Sequence, residues 1–175
     1  MRYHVAELLK ESIGSTRVDT VDDEYTTEEG DREQAKGRLH LMRTDKGILA
    51  SASVETWSRS MCRRCLKPLH LPVTLSIEEE YLATMDIKTG ASLPLPPEAI
   101  EEGTFAIDKH HVLDLQEAVR QHLIVNRPVN PLCQEDCQGL CATCGADLNV
   151  ESCHCQRQVD PRLMPLAKLL QEGSQ

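Results

Sequence analysis

Six of the chain's eight cysteines fall between Cys133 and Cys155, in the stretch CQEDCQGLCATCGADLNVESCHC. Core packing does not call for sulfur at that density, whereas metal binding does. The other two, Cys62 and Cys65, form a Cys-x-x-Cys far upstream. At least one late cysteine therefore has to reach back to them, and the fold has to close around that long-range staple.

Two Cys-x-x-Cys units and a Cys-x-Cys favour zinc over disulfides in a reducing cytosol. A cytoplasmic protein is expected, because MRYHVAELLKES carries scattered charges instead of a signal-peptide core and no stretch approaches a membrane span. Zinc takes four ligands in a tetrahedron with Zn–S about 2.3 Å. Cys141, Cys144, Cys153 and Cys155 can make one such site by local folding. Gly145, just after the second cysteine, can adopt positive φ and let an amide approach a thiolate. Cys133 and Cys137 then complete a second quartet with Cys62 and Cys65, giving two zinc ions and no orphan thiol. Two alternatives stay open: His154 replacing Cys153 or Cys155, and a two-metal cluster sharing sulfurs.

The expected fold class is α+β, an antiparallel β-sheet with one main capped helix and a Cys-rich zinc-binding C-terminal segment. Residues 1–35 read as an N-terminal strand (Tyr3 to Leu9) and an acidic loop, residues 36–130 as sheet plus helix, and residues 131–175 as the Cys-rich segment and a C-terminal helix, all packed as one domain. From Asp19 to Glu33 eight acidic residues face one arginine, the composition of a solvated loop. Leu39 and Leu41 alternate with polar neighbours, Thr44 to Gly47 supplies a turn, and Ile48 to Trp57 alternates again, predicting a hairpin. Leu69, Leu71, Val73, Leu75 and Ile77 recur at every second position, so a third strand runs to about Leu82. The Cys62 turn joins the last two strands. Thr84 to Gly103, with three prolines, reads as a long exposed loop, and Phe105 to Ile107 as a short strand. Asp114 and Glu117 have capping-box spacing before the apolar stripe Leu115, Ala118, Val119, His122 and Leu123, and Pro128 stops that helix near Asn126. His122 reads as a satisfied boundary residue. Asp160-Pro161-Arg162 opens a turn, and Pro165 to Leu170 reads as a docked terminal helix. With one Phe, one Trp and three Tyr, the core rests on aliphatic residues, and metal clips can supply part of the stability.

The formal charge of −9 argues against a broad nucleic-acid-binding surface, and two dianionic zinc–thiolate sites would deepen it. No Ser-His-Asp order, phosphate-binding glycine loop or His-Glu-x-x-His is present, and His110-His111 reads as solvent-facing. All-Cys sites are usually closed, so no enzyme activity is expected. A thiol–disulfide couple at Cys62-Arg63-Arg64-Cys65 is the redox rival, although such motifs belong at a helix N-terminus in a βαβ unit. A zinc-dependent RNA hydrolase is the other. Between Thr56 and Ile77, Arg59, Arg63, Arg64 and Lys67 occur without any Asp or Glu. These cations either offset the zinc site or form a patch for RNA phosphate.

Cys62-Arg63-Arg64-Cys65-Leu66, Leu113-Asp114-Leu115, Pro131-Leu132-Cys133 with Cys137, Gly139-Leu140-Cys141 with Cys144-Gly145, Asn149 and Asp160-Pro161-Arg162-Leu163 occur in that order. In these motifs, from residue 36 to 170, the chain resembles the bacterial YceD-like proteins, the large ribosomal RNA subunit accumulation proteins. The resemblance implies a cytoplasmic, non-catalytic factor for 23S ribosomal RNA accumulation or processing in large-subunit biogenesis. Its implied partner is a large-subunit precursor; the acidic net charge directs the contact to ribosomal RNA through a local basic patch, or to a basic ribosomal protein.

Overall fold

The computed structural model describes residues 1–27, 30–95, 103–155 and 162. The chain divides into two compact units, one of residues 1–60 and 69–129, the other of residues 61–68 and 130–175. In the first unit β1 (Arg2–His4) leads into α1 (Ala6–Lys10), followed by β2 (Thr16–Thr26), β3 (Arg32–Arg43), β4 (Gly47–Met61) and β5 (Pro68–Ala83), the last two running to the edge of the second unit. After a long connection come β6 (Ala106–Ile107), β7 (Val112–Asp114) and α2 (Gln116–Val125).

Strands β2 to β6 form one sheet in sequence order, and β1 pairs with β7 separately. The alternation in β3, β4 and the second half of β5 sends one set of side chains inward. Leu39, Leu41, Ile48, Val54, Leu75 and Ile77 are all essentially inaccessible to water. From the other side, α1 contributes Leu8 and Leu9, and α2 contributes Ala118, Val119 and Leu123. Tyr81, also fully buried, donates its hydroxyl to the Asp114 carbonyl at 3.2 Å, so the aromatic body packs without an orphaned polar end.

Several expectations are corrected. Tyr3 to Leu9 is not one strand: after His4 the chain turns helical, because Val5, Leu8 and Leu9 lie at the three- and four-residue spacing that buries one helical face. The acidic stretch is not a loop. Its first part is β2, paired antiparallel with β3 from Thr16↔Met42 to Thr26↔Arg32. The acids occupy mostly solvent-facing positions, while Val21 and Tyr25 are buried and the Tyr25 hydroxyl meets Thr56 Oγ1 at 3.0 Å. The sheet is not purely antiparallel, since β6 runs parallel to β5 through Leu82↔Ala106 and Ala83↔Ile107. The long connection from Thr84 to Phe105 makes that crossover possible.

The main helix also begins differently. Asp114 ends β7, and its carboxylate accepts the Gln116 N–H at 3.0 Å, while Leu115 holds the cap position without a side-chain bond. Glu117 is drawn to Arg120 at 2.6 Å, so no capping box closes. His122 meets Glu79 at 2.9 Å, a partnered position at the helix boundary. The helix expected over Pro165 to Leu170, and residues 96–102 of the expected loop, lie outside the described residues. No helix among the described residues is long and apolar enough to cross a membrane.

Truncating Leu39, at the centre of the buried face, to alanine is expected to cost about 2–5 kcal/mol. Urea denaturation checks this, and a loss under about 1 kcal/mol would mean that the sheet face is not the packed core.

Candidate metal centre

All eight cysteines belong to the second unit. They gather as the spacing divides them: Cys62, Cys65, Cys133 and Cys137 in one group, Cys141, Cys144, Cys153 and Cys155 in the other, the sulfurs of each within 4.8 Å of one another. Cys62 and Cys137 sulfurs are 3.8 Å apart, and those of Cys65 and Cys133 are 3.5 Å apart. A tetrahedron with Zn–S about 2.3 Å has sulfur–sulfur edges of about 3.8 Å, so the first quartet has the size of a closed four-thiolate site. His154 belongs to neither group.

The first quartet is built from a turn and a returning segment. Between β4 and β5 the chain reverses at Cys62-Arg63-Arg64-Cys65, with the Leu66 N–H donating to the Cys62 carbonyl at 2.9 Å and the Cys62 N–H to the Lys67 carbonyl at 2.8 Å. The returning segment docks through backbone bonds: Arg63 N–H to the Pro131 carbonyl at 3.0 Å and Leu140 N–H to the Arg64 carbonyl at 3.1 Å. Gly139 makes that approach possible. Its φ is 78°, and a Cβ there would stand 2.9 Å from the Arg64 carbonyl oxygen.

The second quartet repeats the turn. The Gly145 N–H donates to the Cys141 carbonyl at 2.9 Å, as Leu66 does to Cys62, and Gly145 has φ 76° where Leu66 has 60°. The expected positive φ at Gly145 is present. The amides of Cys144 and of Thr143, the latter at 3.4 Å, approach the Cys141 sulfur.

These amides act on the thiols. The Cys65 N–H, joined by those of Arg64 and Cys133 and outweighing burial, brings Cys62 down to about 6. The N–H groups of Cys144 and Thr143, with help from the Cys153 and Cys144 thiols, do the same for Cys141. Cys65, Cys133, Cys153 and Cys155 move the other way. Desolvation and then the Cys137, Cys65 and Cys62 sulfurs push Cys133 up to about 12, although the residue as a whole is exposed. Cys144, then desolvation, pushes Cys155 up to about 12. Each quartet thus favours one early thiolate and resists the next, and a dication removes that resistance. The donor set fits a metal ion, and four soft thiolates at this spacing are compatible with zinc.

The basic residues of the region are largely engaged. Arg59 lies in the first unit, bound to Glu33 at 2.8 Å and Asp31 at 2.6 Å. Arg64 donates to the Cys137 carbonyl at 2.8 Å, and Lys67 meets Asp147 at 3.0 Å. Arg63 is exposed and makes no side-chain hydrogen bond or ion pair among the described residues. Spacing gave no hint of Asp147 as the partner of Lys67; for the left-handed Leu66 the signal was its place after the second cysteine, where Gly145 stands in the other motif.

A family model described as large ribosomal RNA subunit accumulation protein YceD matches residues 50–170, which include every cysteine. Uncharacterized proteins of Mycobacterium bovis and Mycobacterium tuberculosis are 29% identical over 132 residues, covering 75% of this chain and 60% of theirs. One of Mycobacterium leprae is 25% identical over 132 residues, covering 75% of this chain and 57% of its own. The chain thus spans less than two thirds of the length of the curated relatives it matches. No solved structure matches.

Two outcomes test the geometry. Leu66→Gly relieves the left-handed strain at an exposed side chain and is expected to stabilise the metal-loaded chain by about 1 kcal/mol, read as a raised melting temperature; destabilisation would mean that Leu66 is held by packing. In the metal-free chain at pH 7, Cys141 is expected to alkylate before the more exposed Cys155, because only the former is substantially thiolate. Mass-spectrometric mapping in which labelling follows exposure would contradict this.

Proposed function

The chain belongs to the YceD family of large ribosomal RNA subunit accumulation proteins, and from that premise we propose that it is a non-enzymatic zinc-binding factor supporting 23S ribosomal RNA accumulation and processing in the cytoplasm. The observation carrying this reading is the family match over residues 50–170, with all eight cysteines inside it. The donor sets support the non-enzymatic part. Both quartets are complete with cysteine sulfur, which leaves no position for a reacting water, the usual condition of a structural zinc site. Zinc there supplies folding free energy by tying the Cys62–Cys65 turn to the returning segment.

Contact with the large-subunit precursor runs through ribosomal RNA or a basic ribosomal protein. Arg63 is the candidate RNA contact, being exposed and uncommitted among the described residues, while Arg64 and Lys67 serve internal bonds. The redox alternative draws on the low Cys62 thiol. The same N–H groups are those that stabilise a zinc-bound thiolate, so the metal reading accounts for them without an oxidant.

Cells lacking the protein are expected to show a lowered ratio of 23S to 16S ribosomal RNA and fewer large subunits in sucrose gradients, both restored by the wild-type chain. An unchanged ratio and gradient would overturn the assembly role. The purified reduced protein is expected to hold two zinc ions, falling to one in Cys62→Ser and one in Cys153→Ser. A reversible Cys62–Cys65 disulfide with only one zinc would favour redox chemistry instead.

A further inference from the structure

Asn149 lies in sequence between Cys144 and Cys153 of the second quartet, yet its side chain serves the first. Its Nδ2 donates to Cys137 Sγ at 3.5 Å and to Asp147 Oδ1 at 2.6 Å. Its Oδ1 accepts the Gln138 N–H at 2.8 Å and Gln134 Nε2 at 3.4 Å. Asp147, which also receives the Asn149 N–H at 3.0 Å, reaches Lys67 beside the Cys62–Cys65 turn at 3.0 Å. The loop carrying Asn149 is moored by Leu148 N–H to the Gly139 carbonyl at 2.9 Å and by Cys141 N–H to the Ala146 carbonyl at 2.8 Å. A polar side chain rooted in one quartet's loop therefore ends on a ligand sulfur of the other.

We propose that Asn149 couples the two quartets, so that a metal ion in either one raises the affinity of the other. This rests on the metal-binding reading above. A metal-bound thiolate keeps residual negative charge, and an N–H donor aimed at it offsets that charge and fixes the sulfur's direction. Metal in the second quartet pins both ends of the loop between Cys144 and Cys153 and holds the Asn149 amide against Cys137. Metal in the first quartet makes Cys137 a fixed anionic acceptor and holds the loop in return. Linkage requires the two effects to be equal in size. A plain loop-closing role differs observably: losing Asn149 would then lower stability without changing how one quartet responds to the other.

Cobalt is the probe, followed in the full-length chain by its thiolate charge-transfer absorption and by stepwise extraction with a chelator. Cys62→Ser and Cys153→Ser assign the two extraction steps. Asn149→Ala is expected to weaken the first quartet about 10–100-fold. Cys153→Ser, which disables the second quartet, is expected to weaken the first at least about fivefold when Asn149 is present and to add little when it is alanine. Coupling is overturned if Cys153→Ser leaves first-quartet affinity unchanged, or if the two losses multiply in the double variant. Should Asn149→Ala fail to fold, the Cys153→Ser comparison with wild type decides alone. A wild-type chain that takes up no cobalt overturns the metal reading and the coupling together, whereas two equivalents with independent extraction overturn only the coupling.

Discussion

Four thiols held within 4.8 Å of one another pose an electrostatic problem that a cation solves. Backbone amides lower the first ionisation in each quartet, at Cys62 and at Cys141, and the sulfurs already gathered resist the next. Among its described residues the second unit shows little else to fold on. Its described elements are turns and isolated bridges, and its buried side chains are chiefly Cys62, Cys65 and Cys137. The described part of this unit buries little apolar surface against its conformational entropy, and on the proposed metal reading metal–thiolate bonds would take the place of a core. The first unit differs: its sheet, α1 and α2 bury a mainly aliphatic core.

The sequence is most legible where one physical demand dominates. Ligand spacing is such a demand, because sulfur geometry ties few residues to few distances, and the two groups of four cysteines are those that spacing suggested, with His154 in neither. Alternation is another: Leu39, Leu41, Leu75 and Ile77 each face one core, and a period of two has no competing reading there. The acidic stretch failed because two demands overlap. Val21 and Tyr25 alone hold β2 to the core, and the carboxylates on its exposed positions mask a two-residue signal. For α1 the apolar residues of a single short helix were too few to separate periods of two and 3.6. The parallel β6 is a tertiary choice that no local pattern encodes.

In the metal centre the illegible residues act at second hand. Asn149 touches Cys137 only because Gly139 lets the returning chain lie against Arg64, which fixes where the following loop turns back. Leu66 adopts the conformation of Gly145 because the amide-to-sulfur pattern of the turn requires it, whatever the side chain. Both follow from the closed site. Asn149 is not recoverable from composition or spacing, and Leu66 only through its place after the second cysteine, where Gly145 stands in the other motif.

The same logic bears on how an acidic chain can meet a ribosomal precursor. Two zinc–thiolate sites would add negative charge to a protein already at −9, and two of the cations beside the first quartet are engaged: Arg64 with the Cys137 carbonyl, Lys67 with Asp147. Their charge lowers the cost of gathering thiolates and is only partly available to phosphate. The proposed RNA contact in that turn is Arg63, a single guanidinium suited to one local contact, while exposed carboxylates elsewhere on the chain would suit a basic protein surface. On the proposed function, a factor built this way would engage its partner through shape and a few placed charges, because a net charge of −9 does not give the broad positive field that would hold RNA indiscriminately.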